Sequence, residues 1–241
     1  YSSIMEEHLA VRQHCGVFDV SHMGEVYVTG QDAERYVNHI FTNDVTNAPF
    51  DKIYYGMMLY PNGGTVDDLL VYKMAENEFF IVINAANIDK DVAWMREHAE
   101  EFDVNIDHQS DKYGQLAVQG PEAEAVVEEV LHLPCKELSF YTVKTIDVNG
   151  ENIIVSRTGY TGEDGFEIYA SHELINNFWD QLLASKRCLP CGLGCRDTLR
   201  FEVGLPLYGD ELSEDISPVM AGLSIFCKLD KPEFIGKEAL R

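Results

Sequence analysis

What the sequence lacks narrows the field first. No run of eighteen apolar residues occurs, so a membrane-spanning helix is excluded. Basic residues are scarce: 18 Lys and Arg stand against 41 Asp and Glu, a net charge of −23. Phosphate binding needs a basic surface, so the charge argues against a nucleic-acid partner. The acidity itself reads as solubility or salt adaptation and says nothing about the fold. Cysteines are few, six in 241 residues, at the irregular positions 15, 135, 188, 191, 195 and 227. Such usage fits reduced thiols in a cytosol-like compartment and not a disulfide framework. No low-complexity segment or linker is present. The opening YSSIMEEHLAVR carries two early acids and no apolar core, so it reads as a helix already under way and not as a signal peptide.

What is there is a chain with 46% hydrophobic residues, long enough for one large domain or two small ones. Helical spacing through Met5, Leu9 and Val11 predicts a helix from Ile4 to His14, stopped by Gly16. Glu25 to Thr29 alternates as a strand, and Gly30 turns the chain into a helix from Ala33 to Phe41. Residues 65–73 and 78–84 read as a hairpin around the polar tip AENE. A helix from Ile88 to Phe102 follows, with Asn87 as its cap. The pattern then recurs. LAVQGPEAEAVVEEVL at 116–131 mirrors VYVTGQDAERYVNHIF at 26–41, and the strand-then-helix run at 165–183 mirrors that at 79–95. A near-constant offset predicts two copies of one unit. The expected class is α+β, with antiparallel sheets each covered by helices on one face. The expected division is 1–110 for the first copy, 111–225 for the second, and 226–241 as a lead-in to a further domain.

Three stretches could carry chemistry. In YPNGGTVDDLLVY (60–72) a tight turn feeds a strand holding two adjacent acids. Alternation puts Asp68 on one face with Leu70 and Tyr72, and Asp67 on the other with Leu69 and Val71. An acid among apolar strand residues loses hydration and needs a partner or a purpose. The duller reading is a turn acid that caps backbone amides, and one of the pair is expected to have that role. In SRTGYTGEDGFEIY (156–169), turn-forming residues around Tyr160 lead into a strand bearing Glu167. The spacing and lysine of a phosphate-binding loop are missing, so close backbone approach to some other ligand competes with a plain hairpin turn. In PCGLGCRDTLRFEVGLPLYGDEL (190–212), Gly192 and Gly194 precede a helix starting near Arg196. An arginine in a helix's first turn opposes the macrodipole and implies a specific contact. Cys188, Cys191 and Cys195 lack a fourth ligand nearby, so no metal is expected. His22 is expected to be a buried, hydrogen-bonded histidine.

Together with HLAVRQHCGVFDVSHMGEV (8–26), VINAANIDKDVAWMREHAEEFDV (82–104), AVQGPEAE (117–124) and FIGKEAL (234–240), these segments resemble the glycine cleavage T-protein family along essentially the whole chain. The resemblance implies a duplicated, ferredoxin-like folate-binding fold. It implies an aminomethyltransferase that moves the aminomethyl carbon from the lipoylated H-protein to tetrahydrofolate and releases ammonia. It places the essential acid at Asp68 and folate contacts at Tyr55, Asn84, Tyr160, Glu167, Arg196 and Met23, with no metal, nucleic acid or membrane involved. Bacterial cytoplasm is the expected compartment, or the mitochondrial matrix for a eukaryotic source. Against the family's pattern, Phe140 stands where some relatives carry tyrosine, with Tyr141 adjacent. The chain also begins inside the family's first helix region and ends before its β-rich third domain, the C-terminal barrel. Rival expectations are a folate-dependent demethylase of a small methylated substrate and a non-catalytic folate-binding protein. A folate-binding repair or tRNA-modification factor is disfavoured, because its Lys-Gly-Cys-Tyr-x-Gly-Gln-Glu signature is missing.

Overall fold

The computed structural model describes residues 1–241. In chain order it runs α1 (Ile4–Gln13), β1 (Gly16–Asp19), β2 (Gly24–Thr29), α2 (Ala33–Ile40), β3 (Ile53–Leu59), β4 (Thr65–Ala75), β5 (Glu78–Ile83), α3 (Ile88–Glu97) and β6 (Asn105–His108). It continues with β7 (Gly114–Gln119), α4 (Ala123–Val130), β8 (Val143–Val148), β9 (Glu151–Ser156), β10 (Gly165–Ala170), α5 (His172–Ser185), β11 (Leu189–Cys191) and α6 (Leu193–Glu202). No helix is long and apolar enough to cross a membrane.

Two compact units divide these elements. One holds residues 1–22 and 111–205, the other residues 23–110 and 206–241. The units are therefore discontinuous, where contiguous copies with a separate C-terminal lead-in are expected from the sequence. The cause is strand pairing. Gly16 of β1 lies opposite both Gln119 of β7 and Leu189 of β11, which ties the first residues to the second copy. The final segment belongs with the first copy. Thr65 N–H donates to the Ser213 carbonyl at 2.9 Å. The Lys231 ammonium donates to the carbonyls of Asn38, Phe41 and Asn43 at 2.8, 2.6 and 2.7 Å, which satisfies the open C-terminal end of α2.

The sheets share one order. In the second unit it is β3-β4-β5-β2-β6, antiparallel throughout. In the first it is β8-β9-β10-β7-β1-β11, the same series with β1 where β6 stands and β11 added beyond it. That last pair, β1 with β11, is parallel, so this sheet is mixed where a purely antiparallel one is expected. One face of each sheet packs on helices. Val26, Val28, Val71, Ile81 and Ile83 meet Val37, Val92 and Met95; Leu116, Val118, Phe166 and Ile168 meet Val126, Val127, Phe178 and Leu182. Burial of these side chains is the main source of stability.

The turn into the first helix after the opening strand shows the repeat at atomic scale. Gly30 and Gly120 both have φ of +134°, and a Cβ there would lie 2.3 Å from the Asp103 carbonyl oxygen and 2.4 Å from that of His14. Only glycine fits either position.

Candidate active site

The acids of β4 point as strand alternation requires. Asp67 faces the helices and is fully buried; Asp68 takes the other face and is half-buried. Opposite Asp68's strand, β3 places Tyr55 so that its hydroxyl donates to Asp68 Oδ2 at 2.9 Å. Asn84, just after β5, donates its side-chain N–H to Asp68 Oδ1 at 2.8 Å. The Tyr55 ring is fixed edge-on by Phe226, 4.8 Å away. No cation pairs with Asp68. Burial, then the neighbouring Asp67 charge, pushes its carboxyl up to about 7, against the lowering pull of the Tyr55 and Asn84 hydrogen bonds. Such a group can give or take a proton near neutral pH.

Around this group lie Asp67, Asn84 and Asn87, which the sequence marked, and Asp91 and Glu25, which it did not. Asp67 accepts from Asn84 N–H at 3.0 Å and from the side chains of Asn84 and Asn87 at 2.8 Å each. Asn87, expected to cap α3, makes no side-chain cap and serves Asp67 instead. Asp91 on α3 is fully buried, and its burial and the Asp67 carboxylate beside it push it up to about 11. Glu25 on β2 is fully buried with neither oxygen hydrogen-bonded, and burial raises it to about 9. The signal for Asn84 and Asn87 was the NAAN run directly after an apolar strand. Nothing in the sequence marked Glu25 as buried beyond its even position in the strand.

The second group of expected residues lies in the other unit. Glu167 of β10 is 7% exposed and on the face away from the helices. It accepts from Gln115 Nε2 and from Thr158. Gln115 donates as well to the Tyr169 hydroxyl at 3.2 Å. Burial raises the Glu167 carboxyl, and Arg196 in the first turn of α6 opposes that shift. The Arg196 guanidinium sits over the Tyr160 ring at 4.8 Å. Its defiance of the helix dipole is thus matched by a carboxylate and an aromatic face. The loop carrying Tyr160 is held by Gln119, fully buried, which donates to the Thr158 carbonyl at 3.1 Å and accepts from the Thr161 hydroxyl at 2.9 Å. A Cβ at Gly159 would lie 1.9 Å from Gln119 Oε1, so this glycine is required by close approach.

Tyr55, Asn84 and Asp68 therefore form one hydrogen-bonded group, and Tyr160, Glu167 and Arg196 a second group joined by a ring contact and by charge, while Met23 is half-buried and joins neither. Phe140 is 70% exposed. Tyr141, with φ of +60°, turns inward instead, and burial together with Glu167 pushes its hydroxyl up to about 12. Tyr141 is accordingly the aromatic hydroxyl beside Glu167. His22, expected to be buried, is exposed.

All six cysteines are free and buried. Cys15 and Cys188 sulfurs are 3.3 Å apart. Glu7, Cys191 and Cys195 bring three ligand atoms within 4.8 Å of one another, a cluster that residue spacing did not reveal because Glu7 is remote in sequence. The Glu7 carboxylate is already engaged by the N–H groups of Ser2 and Gly192 at 3.0 and 2.8 Å and by the amino terminus.

Comparison with known proteins agrees with this architecture. Residues 1–231 match the family described as GCVT N-terminal domain. An aminomethyltransferase of Alkaliphilus oremlandii is 50% identical over all of this chain and 66% of its own length. That of Halalkalibacterium halodurans is 51% identical over all of this chain and 67% of its own. The chain thus spans about two thirds of the length of the curated relatives it matches. A crystal structure of the glycine cleavage system aminomethyltransferase T from Bartonella henselae superimposes with a TM-score of 0.93 at 32% identity, covering 98% of this chain and 65% of that one. A heterotetrameric sarcosine oxidase from Corynebacterium sp. U-96 shares the fold alone, at TM-score 0.50 and 12% identity over 82% of this chain and 92% of that one. The chain belongs to the GCVT N-terminal domain family.

Proposed function

We propose that this chain supplies the tetrahydrofolate-binding, acid-bearing part of an aminomethyltransferase of the glycine cleavage system. The observation that carries the reading is Asp68: a half-buried strand carboxyl with no basic partner, oriented by Tyr55 and Asn84, in a chain half identical to curated aminomethyltransferases. The reaction moves one carbon. Two folate nitrogens bond to the methylene, its bonds to nitrogen and to the lipoyl sulfur break, and the two protons lost from the folate leave with ammonia and the thiol. Asp68 is positioned to take a proton from a folate nitrogen and to stabilise the cationic iminium formed as ammonia departs. Glu167 supplies a carboxylate able to accept two N–H groups from the pterin, with Arg196 on that carboxylate or on the pterin oxygen and Tyr160 beneath it. Tyr55, Asn84 and Met23 complete the folate contacts. No step in this scheme calls on a metal. The partner is the lipoylated H-protein and the compartment the bacterial cytoplasm, as the bacterial sources of the relatives support.

The test is ammonia release from aminomethylated H-protein with tetrahydrofolate present. Release that requires both the lipoylated partner and folate supports the proposal. Carbon transfer from a free methylated small molecule without H-protein would replace it with the demethylase reading. Folate binding with no transfer from either donor would leave a binding protein.

A further inference from the structure

Asp67 is the acid that the proposed chemistry leaves idle, yet it is the better anchored of the two. It accepts three N–H groups, two from Asn84 and one from Asn87. The same Asn84 Nδ2 that serves Asp67 also reaches Asp68 Oδ1 at 2.8 Å and the Asp68 carbonyl at 3.1 Å. One amide therefore bridges two carboxylates.

The repeat provides an internal control. Leu70 lies opposite Val82, and Ile154 opposite Tyr169, so Asp67 corresponds to Glu151 and Asn84 to Ser171. Glu151 accepts the Ser171 backbone N–H at 2.6 Å and its hydroxyl at 2.8 Å. An acid clamping the residue that follows the next strand is thus common to both copies, and in the second it serves the start of α5, where Ser171 is the N-cap. The first copy differs in using a longer side chain, which carries the clamp onward to a second acid. Position 68 itself corresponds to Asn152, which is exposed and uncharged.

We infer that Asp67 is a positioning residue for Asp68: through the shared Asn84 amide it fixes the direction of the Asp68 carboxyl and couples the two acids. The inference rests on the reading of Asp68 as the acid that acts on folate. Helix α3 and the final segment bring the titratable groups that lie near Asp67. Asp91, from α3, is a neutral acid at neutral pH. Lys90, also from α3, donates to the Val66 carbonyl and to the Tyr208 hydroxyl at 3.1 Å, and its ammonium lies over the Tyr208 ring at 4.3 Å. Tyr208, from the final segment, donates to the Thr65 carbonyl at 3.0 Å, and Glu214 of that segment adds only a further negative charge nearby.

Two variants with opposite expected signs test this in the full-length protein: Asp67→Asn and Asn84→Ser, the latter copying the Glu151–Ser171 clamp. The readouts are the Asp68 titration midpoint, by carbon-13 NMR of labelled aspartate carboxyls, and the pH profile of kcat. Asp67→Asn should lower the midpoint by about one unit or more, because a like charge a few ångströms away is removed. The limb of the profile set by Asp68 should move to lower pH by the same amount. Asn84→Ser should raise the midpoint, because Asp68 loses a donor while Asp67 keeps its charge. Lost activity with an unmoved midpoint in both variants would overturn the inference and leave Asp67 a structural clamp. Should Asp67→Asn fail to fold, the Asn84→Ser midpoint decides alone: no rise contradicts the bridge. A midpoint that moves while the kcat profile stays put would uphold the acid pair and remove the catalytic reading of Asp68, which separates the two failures.

Discussion

The two copies of the repeat place their acids in opposite electrostatic settings. On the helix-free face of the β3-β4-β5-β2-β6 sheet, Asp68 has a hydroxyl, an amide and another carboxylate for neighbours, and no cation. On the equivalent face of the other sheet, Glu167 has two amide or hydroxyl donors and the Arg196 guanidinium. Where the unit supplies like charge, that charge adds to burial in raising the carboxyl; where it supplies a cation, the cation opposes the rise that burial causes. On the proposed function, this difference divides transfer and recognition between the two copies.

The largest expected effect breaks the comparison at Asp68. Asp68→Asn keeps size, turns one of the two oxygens that accept from Tyr55 and Asn84 into a donor, and removes the proton carrier, so turnover should fall by roughly 10²- to 10⁴-fold, as for loss of a general acid or base. An unchanged rate in a single-turnover assay sinks that assignment. Next come the paired glycines. Gly30→Ala and Gly120→Ala should each cost about 1–3 kcal/mol of stability from backbone strain alone, with the Cβ clashes adding more. Denaturant titration of both variants checks the repeat: one neutral substitution beside one severe one would show that the two turns are not equivalent.

A smaller effect depends on pH. Glu25 is fully buried and raised to about 9 from an ordinary value of 4.5, while its counterpart in the repeat is Gln115. A raised carboxyl is protonated in the folded state and ionised in the unfolded chain. Its stabilising contribution is therefore complete below pH 4.5 and is lost as pH rises toward 9, at up to about 1.4 kcal/mol per unit. Glu25→Gln should melt like the parent at pH 4.5 and higher than the parent at pH 8.5. Equal melting at both values would mean that Glu25 has a partner that compensates its charge. The smallest effect concerns the tyrosine pair. Phe140→Tyr should leave folate affinity within about twofold, because that side chain is 70% exposed, whereas Tyr141→Phe should weaken it by more, through the lost hydroxyl near Glu167.

How much of this was legible in the sequence follows from the range of the interactions. The repeat could be read because strand alternation and helix spacing are local signals, and Gly30 and Gly120 stand at corresponding turns in both copies. The faces of Asp67 and Asp68 followed from alternation alone. The pairing of β1 with β7 and β11 could not be read, since contacts spanning about a hundred residues or more leave no local period. The start of α6 was misplaced for a related reason. Gly194 reads as a breaker, but it lies inside the helix, where a Cβ would meet Ile4 of α1 at 2.9 Å. The Glu7–Cys191–Cys195 cluster and the Asn84 bridge were hidden in the same way: each residue was visible, and the fold made the neighbours. Tyr141 was visible only as the neighbour of Phe140, because no propensity marks its positive φ.

The division of labour between the copies is tested most directly by calorimetric titration of tetrahydrofolate into the full-length parent, Asp68→Asn and Glu167→Gln. The account predicts that parent and Asp68→Asn bind within about threefold of each other. Glu167→Gln should bind at least about tenfold more weakly, because a charge-assisted pair of hydrogen bonds is worth more than 1.4 kcal/mol. Binding lost in Asp68→Asn and retained in Glu167→Gln would contradict the account, since the acid assigned to transfer would then be the one that holds the folate.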